Sequence, residues 1–147
     1  MSEFVYVTYI RATPKKIWEA LTTPEVLQKF WFGVHQESDW KPGSSWTMRM
    51  PDIGITDLGE ILEAEPPRRM VIKWRNEFRP ELKAAGFSRC TYEIEAQGEV
   101  TKLTIVHESE AQAFIDAVSK GWPMILSSLK SLLETGHPLP RTDQMKK

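Results

Sequence analysis

His107, Tyr92 and Cys90 are the residues of this chain whose side chains could bring acid–base or nucleophilic chemistry into a folded interior. His107 shares the alternation of Leu103 and Ile105, which places its imidazole on the apolar face of a predicted strand. A histidine in that position transfers a proton, anchors a ligand, or serves as a buried, hydrogen-bonded structural residue. We favour the structural role.

Cys90 and Tyr92 fall on the same face of the preceding predicted strand. Cys90 is the single cysteine, so the chain cannot form an internal disulfide, and we expect the thiol to fill apolar space. Tyr92 either offers its hydroxyl to a ligand or bonds the backbone. Glu93 and Glu95 point the opposite way, so they do not form a buried carboxylate pair.

Motifs of established catalytic classes are missing from the sequence. It contains no G-x-S-x-G elbow, no phosphate-binding glycine loop and no H-E-x-x-H pair. The remaining histidines, His35 and His137, lie in polar stretches and are expected at the surface. We therefore predict no catalytic residue, no metal ligand and no cofactor, and we expect a protein that is not an enzyme.

Composition limits the classes of partner. The 147 residues suit one domain, predicted over 1–138 with a polar tail at 139–147. A net charge of −1 argues against nucleic-acid binding, and no apolar run is long enough to span a bilayer. With no apolar leader at the start, the expected location is cytoplasmic, as a monomer or homodimer. Six tryptophans are many for this size and suit either a core or an aromatic-lined pocket.

The elements that would position these side chains begin with a β-strand and two helices. Phe4 to Ile10 is aromatic and β-branched, as in strands. Thr13-Pro14 and Thr23-Pro24 each precede an apolar pattern of helical period, with threonine as the cap and proline at the first helical position.

Between Val34 and His107 the pattern changes to alternating strands separated by turns. Glycine and proline punctuate five or six strands, and no helix separates the late ones, so an antiparallel meander is expected. The face predicted to be buried by the last helix comprises Met70, Ile72, Trp74, Cys90, Tyr92, Ile94, Leu103, Ile105 and His107.

The last predicted helix spans 110–135 and is the element long enough to cover the sheet. Ser109 with Gln112 has the form of a capping box, and Gly136 supplies a stop. Steps of three and four place one apolar stripe on the sheet: Phe114, Val118, Gly121, Trp122, Ile125, Leu129, Leu132 and Leu133.

Two residues inside this helix require an explanation. Pro123 removes one backbone hydrogen bond, which indicates a bend that follows the sheet or, alternatively, a mobile first half that gates a cavity; we favour the bend. Gly121 is unfavourable in a helix by about 1 kcal/mol relative to alanine. Either the sheet lies too close for a side chain, or a missing side chain keeps space open beside Trp122, which we prefer.

Several phrases of the chain together resemble the SRPBCC superfamily, also called START-like, and within it the branch related to the activator of heat shock protein 90 ATPase. They are Ile10-Arg-Ala-Thr-Pro-Lys-Lys-Ile-Trp-Glu-Ala-Leu-Thr-Thr-Pro-Glu, Trp31-Phe32, Gly59-Glu-Ile-Leu-Glu-Ala-Glu-Pro-Pro-Arg-Arg-Met, Leu103-Thr-Ile-Val-His107 and Gly121-Trp122. The resemblance covers about residues 3–138. It implies an α+β helix-grip fold, in which a curved antiparallel sheet and two short helices wrap over a long C-terminal helix.

The resemblance also implies a cavity between sheet and helix that holds a hydrophobic small molecule. Two alternatives stay open: a polyketide cyclase or hydrolase using His107 or Tyr92, and a module that contacts a chaperone through the outer face of the sheet. The expected partner is an apolar or aromatic small molecule, with a chaperone as the alternative. The residues predicted to line the cavity are Met48, Ile72, Trp74, Cys90, Tyr92, Ile105, His107, Phe114, Val118, Gly121, Trp122 and Ile125.

Overall fold

A computed structural model describes residues 1–140, and the part of the predicted tail at 141–147 lies outside them. The described chain forms seven strands and four helices. In chain order they are β1 (Ser2–Ile10), α1 (Pro14–Thr22), α2 (Pro24–Phe30), β2 (His35–Ser38), β3 (Ser45–Met50), β4 (Gly54–Glu65), β5 (Arg69–Asn76), α3 (Pro80–Lys83), β6 (Ser88–Gln97), β7 (Val100–Ser109) and α4 (Gln112–Thr135).

All seven strands belong to one antiparallel sheet in the order β1-β7-β6-β5-β4-β3-β2. Short turns join the consecutive strands from β2 to β7, apart from the segment holding α3. β7, the last strand, pairs with β1 at one edge of the sheet. α1 and α2 connect β1 to β2, which forms the other edge. α4 packs against β1 and β7, and α2 packs against both β2 and α4. This is the predicted α+β helix-grip architecture.

The predicted strand phases are confirmed. Every residue assigned above to the inner face of β5, β6 and β7 is buried, from Met70 to His107. Glu93 is exposed, whereas Lys73 and Thr104 are half-buried on the opposite phase. The alternation was a reliable guide to the inner face because these strands pair in regular register, although Val71 and Thr91 on the other face are buried as well.

The starts of α1 and α2 were predicted correctly, but only one threonine caps. Pro14 and Pro24 each occupy the first helical position. The Thr13 hydroxyl oxygen accepts a hydrogen bond from the Lys16 N–H at 3.2 Å. The side chain of Thr23 makes no capping bond. Thr23 is the single residue between the two helices, so it is both the C-cap of α1 and the N-cap of α2.

α4 begins two residues later than predicted, and the capping box is wrong. Ala111 is the N-cap, and the Ser109 hydroxyl accepts a hydrogen bond from the Ala111 N–H instead. Gln112 is consequently the first helical residue, where its amide bonds Asp116 rather than reaching back. At the other end, Gly136 adopts φ 86° and its N–H donates to the Leu132 carbonyl at 2.9 Å, as predicted.

The buried face of α4 is rotated from the predicted stripe. Phe114, Trp122 and Leu129 are buried as expected, but Ile115 and Leu126 are buried too. Val118, Gly121 and Ile125 are half-buried on a neighbouring side of the helix. Helical period alone does not determine which side of a wide apolar stripe lies deepest against a sheet. None of the helices within residues 1–140 has both the length and the apolar character needed to cross a bilayer.

Candidate functional site

His107 lies at the centre of the interior, where it connects β7 to α4. Its Nδ1 accepts a hydrogen bond from the Trp122 indole N–H at 3.1 Å. Its Nε2 lies 2.9 Å from the Ser88 hydroxyl, which itself donates to the Trp74 carbonyl at 2.9 Å. Because the hydroxyl proton is used on that carbonyl, the imidazole carries its proton on Nε2 and donates it to Ser88. Both ring nitrogens of the neutral imidazole are therefore satisfied.

Burial lowers the pKa of His107 to about 3, because the surroundings provide no water to solvate an imidazolium ion. The ring is fully enclosed and packs against Trp74, Phe114 and Trp122. A histidine that stays neutral at physiological pH and has both nitrogens bonded inside the protein is not placed to exchange a proton with a ligand. This geometry agrees with the structural role favoured from the sequence.

Cys90 and Tyr92 also belong to the closed interior. Burial raises the pKa of both the Cys90 thiol and the Tyr92 hydroxyl, so neither forms a reactive anion. The Tyr92 ring packs edge-on against Trp122. Its hydroxyl has no hydrogen-bond partner among the described residues, whereas a backbone partner was the commoner expectation.

Four of the six tryptophans form one cluster beside His107. The ring centroids of Trp46 and Trp74 are 4.6 Å apart, and those of Trp31 and Trp122 are 5.3 Å apart. Trp74 lies 6.0 Å from Trp122 and 6.3 Å from Trp31. The cluster joins the loop after α2 to the sheet and to α4, and it fills part of the space between sheet and helix where the family resemblance implies a cavity.

A cavity of about 440 Å³ opens at one end of this cluster. Its walls come from the first half of α4, the loop after α2, the β3–β4 hairpin and the segment before α3. Most of the lining is apolar, with indole, methionine and branched side chains, and it opens to solvent. The lining residues are Trp31, Phe32, Val34, Met48, Met50, Ile53, Thr56, Asp57, Trp74, Phe78, Ala117, Val118, Lys120, Gly121, Trp122, Met124 and Ile125.

The structure divides the predicted ligand-contacting residues into two groups of six. Met48, Trp74, Val118, Gly121, Trp122 and Ile125 line the cavity. Ile72, Cys90, Tyr92, Ile105, His107 and Phe114 lie in the closed core instead. The half-buried side of α4 thus faces the cavity, while its deepest side packs on β1 and β7.

Gly121 borders the cavity without close neighbours. A Cβ atom added there would meet only the Ile125 Cδ1 atom, at 3.8 Å, which is an ordinary van der Waals contact. Of the two explanations offered for this glycine, close approach of the sheet is therefore excluded by the geometry. The position has room for a side chain.

Asp57 is the one acidic residue among the eleven lining residues that the sequence did not predict. Its side chain is 8% exposed, and its Oδ2 accepts a hydrogen bond from the Trp74 indole N–H at 2.7 Å. Burial raises the pKa of this carboxyl; hydrogen bonds from Trp74, Thr56 and Asn76 oppose the rise, and the nearby Glu77 adds to it. The β3–β4 register shifts between Met48 and Arg49, so Thr56 and Asp57 are both buried although they are consecutive. A bulge of this kind has no signal in the alternation pattern.

A second depression, of about 570 Å³, lies elsewhere, beside Pro14, Pro67 and the ends of β6 and β7. Half of its lining residues are charged, including the exposed Arg68 and Glu95. It is larger than the tryptophan-lined cavity, but it has no aromatic side chain and no buried polar group in its lining. The tryptophan-lined cavity is therefore the better candidate for a ligand.

Comparison with known proteins identifies the family. The model of a family described as activator of Hsp90 ATPase homolog 1-like protein matches residues 11–134, which is most of the chain. The chain belongs to this family. Among curated proteins, none matches it.

Solved structures of similar fold agree with the helix-grip architecture of this member of the Hsp90 ATPase activator homolog family. CalU16 from Micromonospora echinospora is 22% identical over 91% of this chain and 77% of that chain, with a TM-score of 0.75. The Aha1 dimer from Colwellia psychrerythraea is 22% identical over 92% and 98%, with a TM-score of 0.75. PFC0360w, an HSP90 activator from Plasmodium falciparum, is 22% identical over 92% and 97%, with a TM-score of 0.72. At this identity the likeness shows a shared fold.

Proposed function

We propose that this family member binds a small apolar or aromatic molecule in the cavity beside the tryptophan cluster. The observation that carries the proposal is the cavity itself, which combines apolar walls, an opening to solvent and a volume of about 440 Å³. Pockets for small molecules are typically about 300–1,000 Å³ and are lined mainly by apolar and aromatic side chains. The ligand would gain binding free energy chiefly by removing its apolar surface from water.

The geometry gives less support to an enzyme that uses His107 or Tyr92. Neither residue lines the cavity, and both lie in the closed core. The imidazole is held neutral with both nitrogens bonded, so a substrate in the cavity meets no basic histidine there.

Replacing Gly121 with leucine tests the ligand-binding proposal. The new side chain extends from a position with free space, so it should occupy the cavity and block an uncharged apolar fluorescent probe such as N-phenyl-1-naphthylamine. Because the side chain fills empty volume, we expect a free energy of unfolding equal to or above that of the wild type. Probe titration and urea unfolding measure the two effects.

Gly121→Ala is the matched control, because its single methyl group meets one atom at van der Waals distance and leaves most of the cavity free. It should bind the probe as the wild type does. A folded Gly121→Leu protein that binds the probe unchanged would refute the proposed site. Native mass spectrometry provides an independent test. A molecule that co-purifies with the wild type should be absent from freshly purified Gly121→Leu.

Chaperone contact is the second candidate function. Val5, Val7 and Tyr9 are 49%, 40% and 46% exposed on the outer face of β1, which is an edge strand. Val106 lies opposite Val5 on β7 and is half-buried. This apolar stripe, together with the family description and the Plasmodium falciparum HSP90 activator of the same fold, favours an HSP90-type chaperone as the occupant of the outer face.

A further inference from the structure

We infer that the cavity selects apolar molecules that carry a protonated amine, with Asp57 as the residue that pairs with the ammonium group. This inference rests on the proposed ligand-binding function and names the chemical class of the ligand. It places the apolar body of the molecule among the side chains of α4 and the β3–β4 hairpin. The ammonium group lies at the wall formed by Asp57 and Trp74.

The cavity lining is mostly apolar and contains one buried carboxyl group. Asp57 is the single acidic side chain among the cavity residues, and it is nine-tenths buried. None of the ion pairs among residues 1–140 involves it. Keeping a carboxylate ionised beside apolar walls costs free energy unless a cation pairs with it. The donors that the described residues provide to this carboxylate are neutral, so an ammonium group on a ligand would supply the charge that pairs with it.

The contact between Asp57 and Trp74 does not require a carboxylate. The indole N–H donates one hydrogen bond to Oδ2 at 2.7 Å. An asparagine amide oxygen could accept the same bond without the free-energy cost of burying an ionisable group. A structural role for Asp57 as the partner of Trp74 therefore accounts for an acceptor at this position but not for a negative charge.

The carboxylate also lies beside an aromatic surface. Trp31, Trp74 and Trp122 all line the cavity, and their ring centroids lie between 5.3 and 6.3 Å from one another. Indole rings attract organic cations through their electron-rich faces, and tryptophan does so most strongly. A carboxylate bonded to one of three tryptophans combines the two features that recognise an ammonium group.

Lys120 is the cationic residue that also lines the cavity. It lies on the exposed side of α4, where solvent and salt screen its charge. An acidic ligand would meet Lys120 at the rim and Asp57 deeper in the cavity. The two charges thus favour opposite ligands, and the more buried one should dominate because its surroundings screen it less.

The test compares three naphthalene probes of nearly equal size at pH 7: 1-naphthylmethylamine, 1-naphthylmethanol and 1-naphthoate. Quenching of tryptophan fluorescence, checked by calorimetry, gives the affinities. We expect the wild type to bind the amine about tenfold more tightly than the alcohol, because hydrogen bonds with an ionised donor and acceptor are roughly twice as strong as neutral ones. Naphthoate should bind most weakly.

Asp57→Asn retains an acceptor for the Trp74 indole and removes the charge. We expect it to lose the preference for the amine while binding the alcohol within about twofold of the wild type. Glu95→Gln removes the same charge from an exposed position on β6 and should keep the tenfold preference. This control separates local pairing from the net charge of the protein.

The outcomes distinguish the two proposals. Alcohol binding that Gly121→Leu blocks, without an amine preference in the wild type, would overturn the role of Asp57 and leave the ligand site intact. An amine preference that persists in Asp57→Asn would overturn it too. If no probe binds, or if Gly121→Leu binds all three unchanged, the proposed function fails and the inference fails with it. If Asp57→Asn does not fold, the affinities of the wild type for the three probes still test the inference, because they show whether the amine is preferred.

Discussion

At the scale of single residues, the interior depends on hydrogen bonds that link indole groups to buried acceptors. Trp122 donates to His107, Trp74 donates to Asp57, and Trp46 donates to the Gln36 side chain at 3.1 Å. Each indole ring adds apolar contact area, and each N–H finds a partner in the core. The tryptophans thereby connect the sheet to the helix and to the loop that encloses the cavity.

The low pKa of His107 makes a prediction about stability in acid. In the unfolded chain the imidazole binds a proton below about pH 6.5, whereas in the folded protein it does so only near 3. The unfolded state therefore binds more protons between these values. The contribution of His107 to stability is complete above pH 6.5 and is lost as the pH falls, by up to about 1.4 kcal/mol per pH unit.

Urea unfolding of the wild type and of His107→Gln at pH 7 and pH 5 measures this effect. At pH 7 we expect the variant to be less stable by about 1–3 kcal/mol, because the Trp122 and Ser88 groups lose well-placed partners. The difference between the two proteins should shrink at pH 5. A His107→Gln protein as acid-sensitive as the wild type would assign the effect to another group.

At the scale of secondary-structure elements, two glycines serve opposite purposes. Gly59 lies within β4, opposite Trp74 of β5. A Cβ atom there would lie 1.6 Å from the Lys73 carbonyl oxygen and 2.6 Å from its carbonyl carbon. Backbone atoms cannot move aside as a flexible side chain can. Gly59 thus permits two strands to approach each other, whereas Gly121 borders open space.

The same substitution at both glycines should have opposite effects on stability. Gly59→Ala should lower the free energy of unfolding by more than about 3 kcal/mol or prevent folding, since the clash is with backbone. Gly121→Ala should raise it by about 0.5–1 kcal/mol, because alanine favours helix and the added methyl group has room. Soluble yield and urea unfolding test both. A Gly59→Ala protein as stable as the wild type would show that β4 and β5 separate easily.

At the scale of the whole molecule, the ends of the chain hold the helix against one side of the sheet. Lys130 of α4 donates to the Tyr9 carbonyl, and the Glu134 carboxylate accepts from the Arg11 N–H at 2.8 Å. The Lys130 ammonium group, hydrogen-bonded to Glu134 at 2.8 Å, is the main cause of the lowered pKa of that carboxyl. These contacts anchor α4 beside β1 and β7. The cavity is left at the opposite side, where the loop after α2 and the β3–β4 hairpin complete its walls.

The outer face of the same sheet gives the test of chaperone contact. If the stripe on β1 binds an HSP90-type chaperone, the wild type should raise the ATPase rate of a purified chaperone or bind it in calorimetry. Val7→Lys should weaken this interaction at least tenfold, because a buried unpaired charge costs several kcal/mol. Ile55→Lys changes a similarly exposed residue on β4 and should have no effect. Equal binding by both variants would remove the stripe as the contact surface.

The amino-acid sequence by itself determined the elements and the phases of the regular strands. Alternation is set by the backbone of each strand, so the inner face from Met70 to His107 followed from residue order alone. Pro14, Pro24 and Gly136 marked helix ends for equally local reasons. The family resemblance rests on these same signals, and the family match over residues 11–134 agrees with it.

Only the tertiary structure decided where the cavity lies and which residues line it. The bulge that buries Thr56 and Asp57 together depends on how β3 pairs with β4, and the choice of Ile115 over Val118 as a buried residue depends on how α4 rests on the sheet. Both are long-range effects, because they depend on contacts between segments distant along the chain. Helical and strand periodicity predict which side chains share one face of an element. A cavity depends on the distance between the faces of two elements, which periodicity does not give.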